Sequence, residues 1–215
     1  MNYEDTMKFF KDLAEEEIKV SAYYANLKDT VINFFTEAPD NYNCSGAKII
    51  SILDIVNIDT LKYVNDTDNC GDSDDTDIDA IMVDDKIFVN EVNFSFLDNT
   101  NAKLLNADDI VYPFMDIGIY FDYPTCDKIE FKIRTKNNLG FTRRELLIQI
   151  LKRYKMIIDV NKHYDLEKNC WTNNEIEKPS LFKTTLGWEY DSTLVSGLCY
   201  DKRINKWIVT YNNYI

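Results

Sequence analysis

Residues 128–159 read KIEFKIRTKNNLGFTRRELLIQILKRYKMIID, and the hydrophobic period changes part-way through them. At the start, Ile129, Phe131 and Ile133 alternate with Lys128, Glu130, Lys132 and Arg134. Successive strand residues point to opposite faces, so the spacing predicts a strand with one face in a core and one in water. Further on, Leu147, Ile150, Leu151, Tyr154, Ile157 and Ile158 recur at three and four, with Gln149, Lys152, Arg153 and Met156 directed away. That is the stripe of an amphipathic helix over about 142–159. Thr142-Arg143-Arg144-Glu145 fits a capping box at its start, in which the Thr hydroxyl and Glu carboxylate each accept from the other residue's backbone N–H.

Strands and helices of this kind flank the stretch on both sides. Upstream, Leu13, Val20, Tyr24, Leu27, Val31 and Phe35, joined by Phe9 or Phe10, form another helical stripe. Glu15, Glu16 and Glu17 interrupt it, so the pattern allows two helices, 3–16 and 18–36, or one long helix with an exposed middle, ended by Pro39. The apolar run from Ile49 to Ile58, within residues 40–64, fits either a buried strand or a buried helix, and its β-branched residues tilt it slightly towards strand. Ile81 to Val83, Asp84-Asp85 and Ile87 to Phe96 read as a hairpin across a tight acidic turn. A strand is expected from Ile110 to Phe121. Residues 160–180 read as a polar loop, and Leu194 to Tyr200 with Lys206 to Tyr211 as a closing hairpin around residues 201–205. The expected fold class is α+β: an N-terminal helical segment, a largely antiparallel sheet, one long amphipathic helix and a C-terminal β-hairpin. It forms a single domain over 1–215, with 1–39 as a helical segment and 40–215 as an α/β core if it divides at all.

The 37 acids and 24 bases give a net charge of −13, which argues against non-specific binding of nucleic acid. The charge is unevenly placed: residues 1–127 carry 27 acids and 8 bases (−19), 128–162 carry 3 and 10 (+7), and 163–215 carry 7 and 6 (−1). A nucleic-acid partner therefore requires the 128–162 segment to be exposed. With 45% hydrophobic residues and few Gly or Pro, the chain is neither disordered nor fibrous. The acidic first twenty residues lack a secretory h-region, and no apolar run reaches the roughly 18 residues of a membrane span. Five scattered cysteines without a C-x-x-C pair read as reduced thiols, so an intracellular, soluble protein with no membrane partner is expected. The sequons at Asn43, Asn65 and Asn93 are then chance in an Asn-rich chain.

Candidate chemistry is sparse. Counting from Asp66, the residues Asp68, Gly71, Asp72, Asp74 and Asp77 take positions three, six, seven, nine and twelve of an EF-hand calcium loop. Cys70 at five, Ser73 at eight and the short Asp77 at twelve depart from it, and a solvated acidic loop is the ordinary reading of such a run. His163 is the one histidine, which excludes a His-rich zinc site; Cys170 or Cys199 served by it would be a nucleophile without any surrounding signature. Asp84-Asp85 and Asp108-Asp109 could serve a metal-dependent nuclease, but acids in turns are commoner. No phosphate-cradling or nucleophile motif is present, so no cofactor and no catalytic residue are expected. Physically the most informative point is the helix start. Arg143 and Arg144 stand in a first turn that already carries positive charge. Thr142, Arg143 and Arg144 with the free backbone N–H groups would hold an anion; alternatively, the acidic N-terminal half folds over them.

Gly140-Phe141-Thr142-Arg143-Arg144-Glu145-Leu146 leading to Arg153-Tyr154, followed by Leu194-Val195 and Gly197-Leu198-Cys199-Tyr200-Asp201, resembles a pattern in uncharacterised proteins of giant DNA viruses of the mimivirus type. The resemblance covers residues 128–212 and is structural in kind, a capped helix and a hairpin. It implies a viral protein of the host cytoplasm and no particular activity. Three function classes follow. The first is a non-enzymatic protein-binding or regulatory module, suited by aromatics such as Trp171, Trp188 and Trp207 and by segregated charge. The second is an acidic nucleic-acid mimic that occupies a nucleic-acid-binding protein. The third is an enzyme acting on a phosphorylated substrate near Arg143 and Arg144.

Overall fold

A computed structural model describes residues 3–27, 30–38, 49–51, 58–60, 80–90, 92–99, 102–121, 129–161, 164–165, 170–171 and 193–213. The chain is α+β as expected. Helix α1 (Tyr3–Asn26) is followed by strands β1 (Val31–Asn33), β2 (Thr36–Glu37) and β3 (Ile49–Ser51), and by a 3-10 turn at Ile58–Thr60. The hairpin β4 (Ala80–Val83) and β5 (Lys86–Val89) leads through a 3-10 turn, Phe94–Leu97, to β6 (Ile110–Tyr112), β7 (Asp116–Phe121) and β8 (Ile129–Arg134). Short strand β9 (Phe141–Thr142) runs directly into α2 (Arg143–Asn161), and β10 (Tyr164–Asp165), β11 (Cys170–Trp171), β12 (Thr193–Asp201) and β13 (Lys206–Asn213) complete the order.

Two sheets divide the work of burying the apolar residues. The larger has the order β1-β12-β13-β7-β8, antiparallel except for β13 beside β7; the smaller has the order β2-β5-β4-β3, with β3 parallel to β4. Helix α2 lays Leu146, Leu147, Ile150, Leu151, Tyr154 and Ile157 into the core of the larger sheet, all of them with no exposed surface. The smaller sheet has its own cluster of Phe35, Ile58, Ile81, Phe88 and Leu105. Two dipeptides straddle the clusters. Phe34 and Leu104 belong to the larger core while their neighbours Phe35 and Leu105 belong to the smaller, and Leu105 N–H donates to the Phe35 carbonyl at 2.9 Å. Adjacent residues of each dipeptide thus serve different cores, and that hydrogen bond joins the two.

Two hairpins form, although the second arm of the first, expected over Ile87 to Phe96, ends at Val89 and Phe94–Leu97 is a 3-10 turn. In the β4–β5 turn, Asp84 and Asp85 have φ of 47° and 60°, the paired left-handed conformation of a type I′ turn, which Asp tolerates and which matches the strand twist. The β12–β13 hairpin turns through residues 202–205 and carries a bulge between Val195 and Gly197. At Gly197 strand β1 comes so close that a Cβ would lie 2.4 Å from the Ile32 carbonyl oxygen.

Two expectations need correction. The N-terminal stripe does not continue as helix to residue 36; α1 is one helix that ends at Asn26, whose side-chain amide caps the Ala22 carbonyl at 2.8 Å. Val31 to Asn33 instead form a fully buried edge strand paired with β12, so Val31 and Phe35 owe their burial to the sheets. Tertiary pairing of β-branched residues overrides the helical spacing there. The strand expected over 110–121 is likewise two strands in different sheets, because Pro113 has no N–H to continue a ladder and the chain turns before β7. Of the apolar run in 40–64, Ile49–Ser51 is a strand and Ile58–Thr60 a 3-10 turn. The acidic segment with Asp66, Asp68, Asp72, Asp74 and Asp77, the residues His163 and Trp188, and most of the 160–180 loop lie outside the described residues.

Candidate functional site

The start of α2 is set by a tight loop. Leu139 N–H donates to Asn137 Oδ1 at 3.0 Å and Gly140 N–H to the Asn137 carbonyl at 3.1 Å, which turns the chain back after β8. Gly140 then adopts φ of 109°, and any Cβ there would meet the Tyr112 carbonyl oxygen at 2.1 Å. Glycine is required twice over, by conformation and by space. This close approach lets β9 pair with β6 and delivers Thr142 to the N-cap position.

Capping follows, in half the expected form. Glu145 N–H donates to Thr142 Oγ1 at 3.1 Å, but the Glu145 carboxylate accepts from Thr135 Oγ1 at 2.7 Å instead of returning to the cap. The other two backbone donors of the first turn are also taken: Arg143 N–H by the Asp109 carbonyl and Arg144 N–H by the Ala107 carbonyl, both at 2.9 Å.

Arg143, at 2% exposure, is the charged residue at the centre of this region. Its Nη1 and Nη2 grip Asp59 Oδ1 and Oδ2 at 2.8 Å each, and Nη1 also donates to the Asn33 carbonyl at 2.5 Å. Asp59 is in turn held by Asn33 N–H at 3.0 Å, while Asn33 Nδ2 donates to the Ile58 carbonyl at 2.7 Å. A bidentate guanidinium–carboxylate pair is strong and directional, and this one ties the first turn of α2 to the 3-10 turn Ile58–Thr60, whose Ile58 belongs to the smaller sheet's cluster. Arg144 takes a different course: its guanidinium lies 5.7 Å from the centre of the Phe96 ring and its Nη2 donates weakly to the Ala102 carbonyl at 3.4 Å. Thr142, Arg143 and Arg144 are therefore brought together, with protein partners for the hydroxyl, for the backbone donors and for both guanidinium groups. The charge of Arg143 is compensated from within the chain, through one acid of the N-terminal half, while Arg144 meets a ring and a carbonyl.

Other described acids are engaged similarly. Glu37 lies between Lys86 at 2.6 Å and Lys103 at 3.1 Å, which hold its carboxyl below the usual range, and Asp116 pairs with Arg134 at 2.8 Å. Asp84, Asp85, Asp108 and Asp109 are exposed residues of turns and bends. Among the described residues, no group of three or more His, Cys, Asp or Glu is placed to hold a metal ion. No described helix is long and apolar enough to cross a membrane.

Helix α1 presents a second kind of surface. Its last turns are fastened by aromatic contacts: Tyr23 packs edge-on against Tyr112 at 5.7 Å and Phe114 at 5.1 Å, and Tyr24 lies 5.3 Å from Tyr200. The Tyr24 and Tyr112 hydroxyls share a hydrogen bond of 2.8 Å, and Leu27 is buried below them. Burial, with Tyr24 alongside, pushes the Tyr23 hydroxyl up to about 12. Burial and the bond to Tyr24 raise Tyr112 as well. Before this anchor the helix stands clear. Met7, Phe9, Phe10, Leu13 and Ile18 are 41–68% exposed, five of the ten large apolar side chains exposed among the described residues; the rest, Met82, Ile110, Leu139, Met156 and Ile204, sit singly on separate elements. Sequence reasoning found the stripe but not its exposure, and it missed Asp59, because 27 acids in residues 1–127 offered no local sign of which one meets Arg143.

No protein-family model, curated protein or solved structure matches this chain.

Proposed function

We propose that this chain is a non-enzymatic protein-binding or regulatory module, of a giant DNA virus by the resemblance of residues 128–212, and that α1 is its contact element. The observation that carries the reading is the group of five exposed apolar side chains on one helix anchored at one end. Single apolar side chains scattered on a surface are ordinary, whereas several exposed on one element point to a contact site. Covering each returns about 25 cal/mol per Å² of apolar area removed from water. The start of α2 supports the same reading, since the groups that would receive a phosphorylated substrate are engaged with Asp59, Ala102, Ala107 and Asp109. The engagement of Glu37, Asp59 and Asp116 with bases similarly disfavours an uninterrupted acidic face imitating nucleic acid.

The test is a photo-cross-linking residue placed at position 10, 18 or 204 in the producing cell. Discrete adducts to a polypeptide of any kind, the chain itself included, are expected from 10 and 18 and not from 204. Equal labelling at all three positions, or none, sinks the reading.

A further inference from the structure

We infer that the outer edge of β8 is a contact site separate from α1, and that it takes an extended acidic segment of a partner polypeptide as an added antiparallel strand. Strand β8 closes the larger sheet, and among the described residues its outer edge carries no strand. The phase of its hydrogen bonding follows from one bond beyond its end. Thr135 N–H donates to the Met115 carbonyl at 2.9 Å, and the register that pairs Arg134 with Asp116 sets these two residues opposite each other. Bonded and non-bonded pairs alternate along an antiparallel ladder, so Ile133, Phe131 and Ile129 bond to β7. The N–H and C=O groups of Arg134, Lys132 and Glu130 therefore point outwards, where an incoming strand can pair with them.

Charge states what kind of strand fits. Lys132, Arg134 and Lys136 are exposed. The one acid of the strand is withdrawn from the edge: Glu130 Oε1 lies 2.6 Å from where a Gly118 Cβ would stand, and it accepts from Lys206 Nζ of β13 at 2.7 Å. Arg134 reaches inwards to Asp116 at 2.8 Å. Lys132, opposite Gly118, and Lys136 have no acidic partner among the described residues. From the α2 side the Arg153 guanidinium lies 5.8 Å over the half-buried Phe131 ring. The edge is basic on both faces. Lysine on an edge strand ordinarily guards it against other edges, and a second copy of β8 brings no acid except a Glu130 already held by Lys206. The same charges favour an acidic strand. Its residues opposite Lys132 and Arg134 share their face, so carboxylates belong there; those opposite Phe131 and Ile133 extend the apolar face, so aliphatic side chains belong there.

Fluorescence anisotropy tests this with the full chain, titrated to about 500 µM onto a dye-labelled, end-capped peptide of about seven residues that alternates valine and aspartate. Saturable binding with a Kd of about 10–200 µM is expected. N-methylation of the aspartates removes the N–H groups that the outward carbonyls of β8 accept, and weakens binding by about tenfold or more. N-methylation of the valines, whose N–H groups point away, changes it by less than about threefold. Lys132→Glu weakens binding by about tenfold, whereas Lys152→Glu, the same charge change on the exposed side of α2, weakens it by less than about threefold. Circular dichroism and thermal unfolding check that both variants fold, and the N-methylated peptides read the edge without altering the protein. No saturable binding, as when the chain's own acids or a second copy fill the edge, overturns the inference. Indifference to which residues are N-methylated, or equal losses from the two lysine variants, overturns it too, as does an oligothymidylate that binds as tightly and displaces the peptide. Cross-linking from positions 10 and 18 reads α1 alone, so the two proposals fail separately.

Discussion

The two helices of this protein are both striped with apolar residues, and they end in opposite circumstances. Helix α2 has 19 residues, and six of its apolar side chains are wholly enclosed. Helix α1 has 24 residues and is enclosed over little more than its final turn. Covering requires an opposing surface at the right distance. Strands β7, β13 and β12 supply one to α2, while Tyr112, Phe114 and Tyr200 reach only the end of α1. A stripe therefore states that a helix has something to bury, and the topology states whether this chain buries it.

The contrast can be tested by removing what holds each helix. Arg143→Ala has the largest expected effect, because it leaves the Asp59 carboxylate and the Asn33 carbonyl without their guanidinium. Breaking such a pair by removing one partner costs about 3–5 kcal/mol. Urea unfolding should show that loss, and Arg143→Leu with Asp59→Leu should recover part of it. A loss below about 1 kcal/mol would mean that the pair is a surface bridge in effect.

A smaller effect should appear with pH. The Tyr23 and Tyr112 hydroxyls titrate above the ordinary tyrosine value, so the folded state disfavours their ionised forms. The contribution of the aromatic anchor is complete below the unfolded value near 10 and is lost as pH rises through the raised value, about 12 for Tyr23. Between those values stability should fall together with the appearance of tyrosinate absorbance. Tyr24→Phe, which removes the hydroxyl pair, should make the onset earlier or shallower; an unchanged profile would exclude the anchor as its source.

The smallest effect separates the helices most sharply. Phe10→Ala should alter unfolding stability by no more than about 0.5 kcal/mol. Leu147→Ala in α2 should cost about 2–5 kcal/mol by the same measurement. A Phe10→Ala loss comparable with that of Leu147→Ala would show that α1 is covered by its own chain in solution.

The elements most legible in the sequence were those whose information is local. The 129–134 alternation, the Thr142 cap, the type I′ acidic turn and the closing hairpin each depend on residues within a few positions of one another. Those misread depended on remote ones. Val31 and Phe35 continue a helical spacing numerically, yet β12 lies beside them only because residues 193–201 fold back to that edge. Asp59 looked like any other acid until the Gly140 turn brought Arg143 against it, 84 residues along the chain.

The order of charge and hydrophobicity along this chain was enough to specify an acidic α+β protein with two amphipathic helices and a basic segment at the start of the second. Local propensity and period carry that information without reference to any partner. Which acid neutralises Arg143, and which stripe is left in water, were decided by packing. Burial depends on surfaces assembled from distant segments, and no window of sequence contains both sides of a contact.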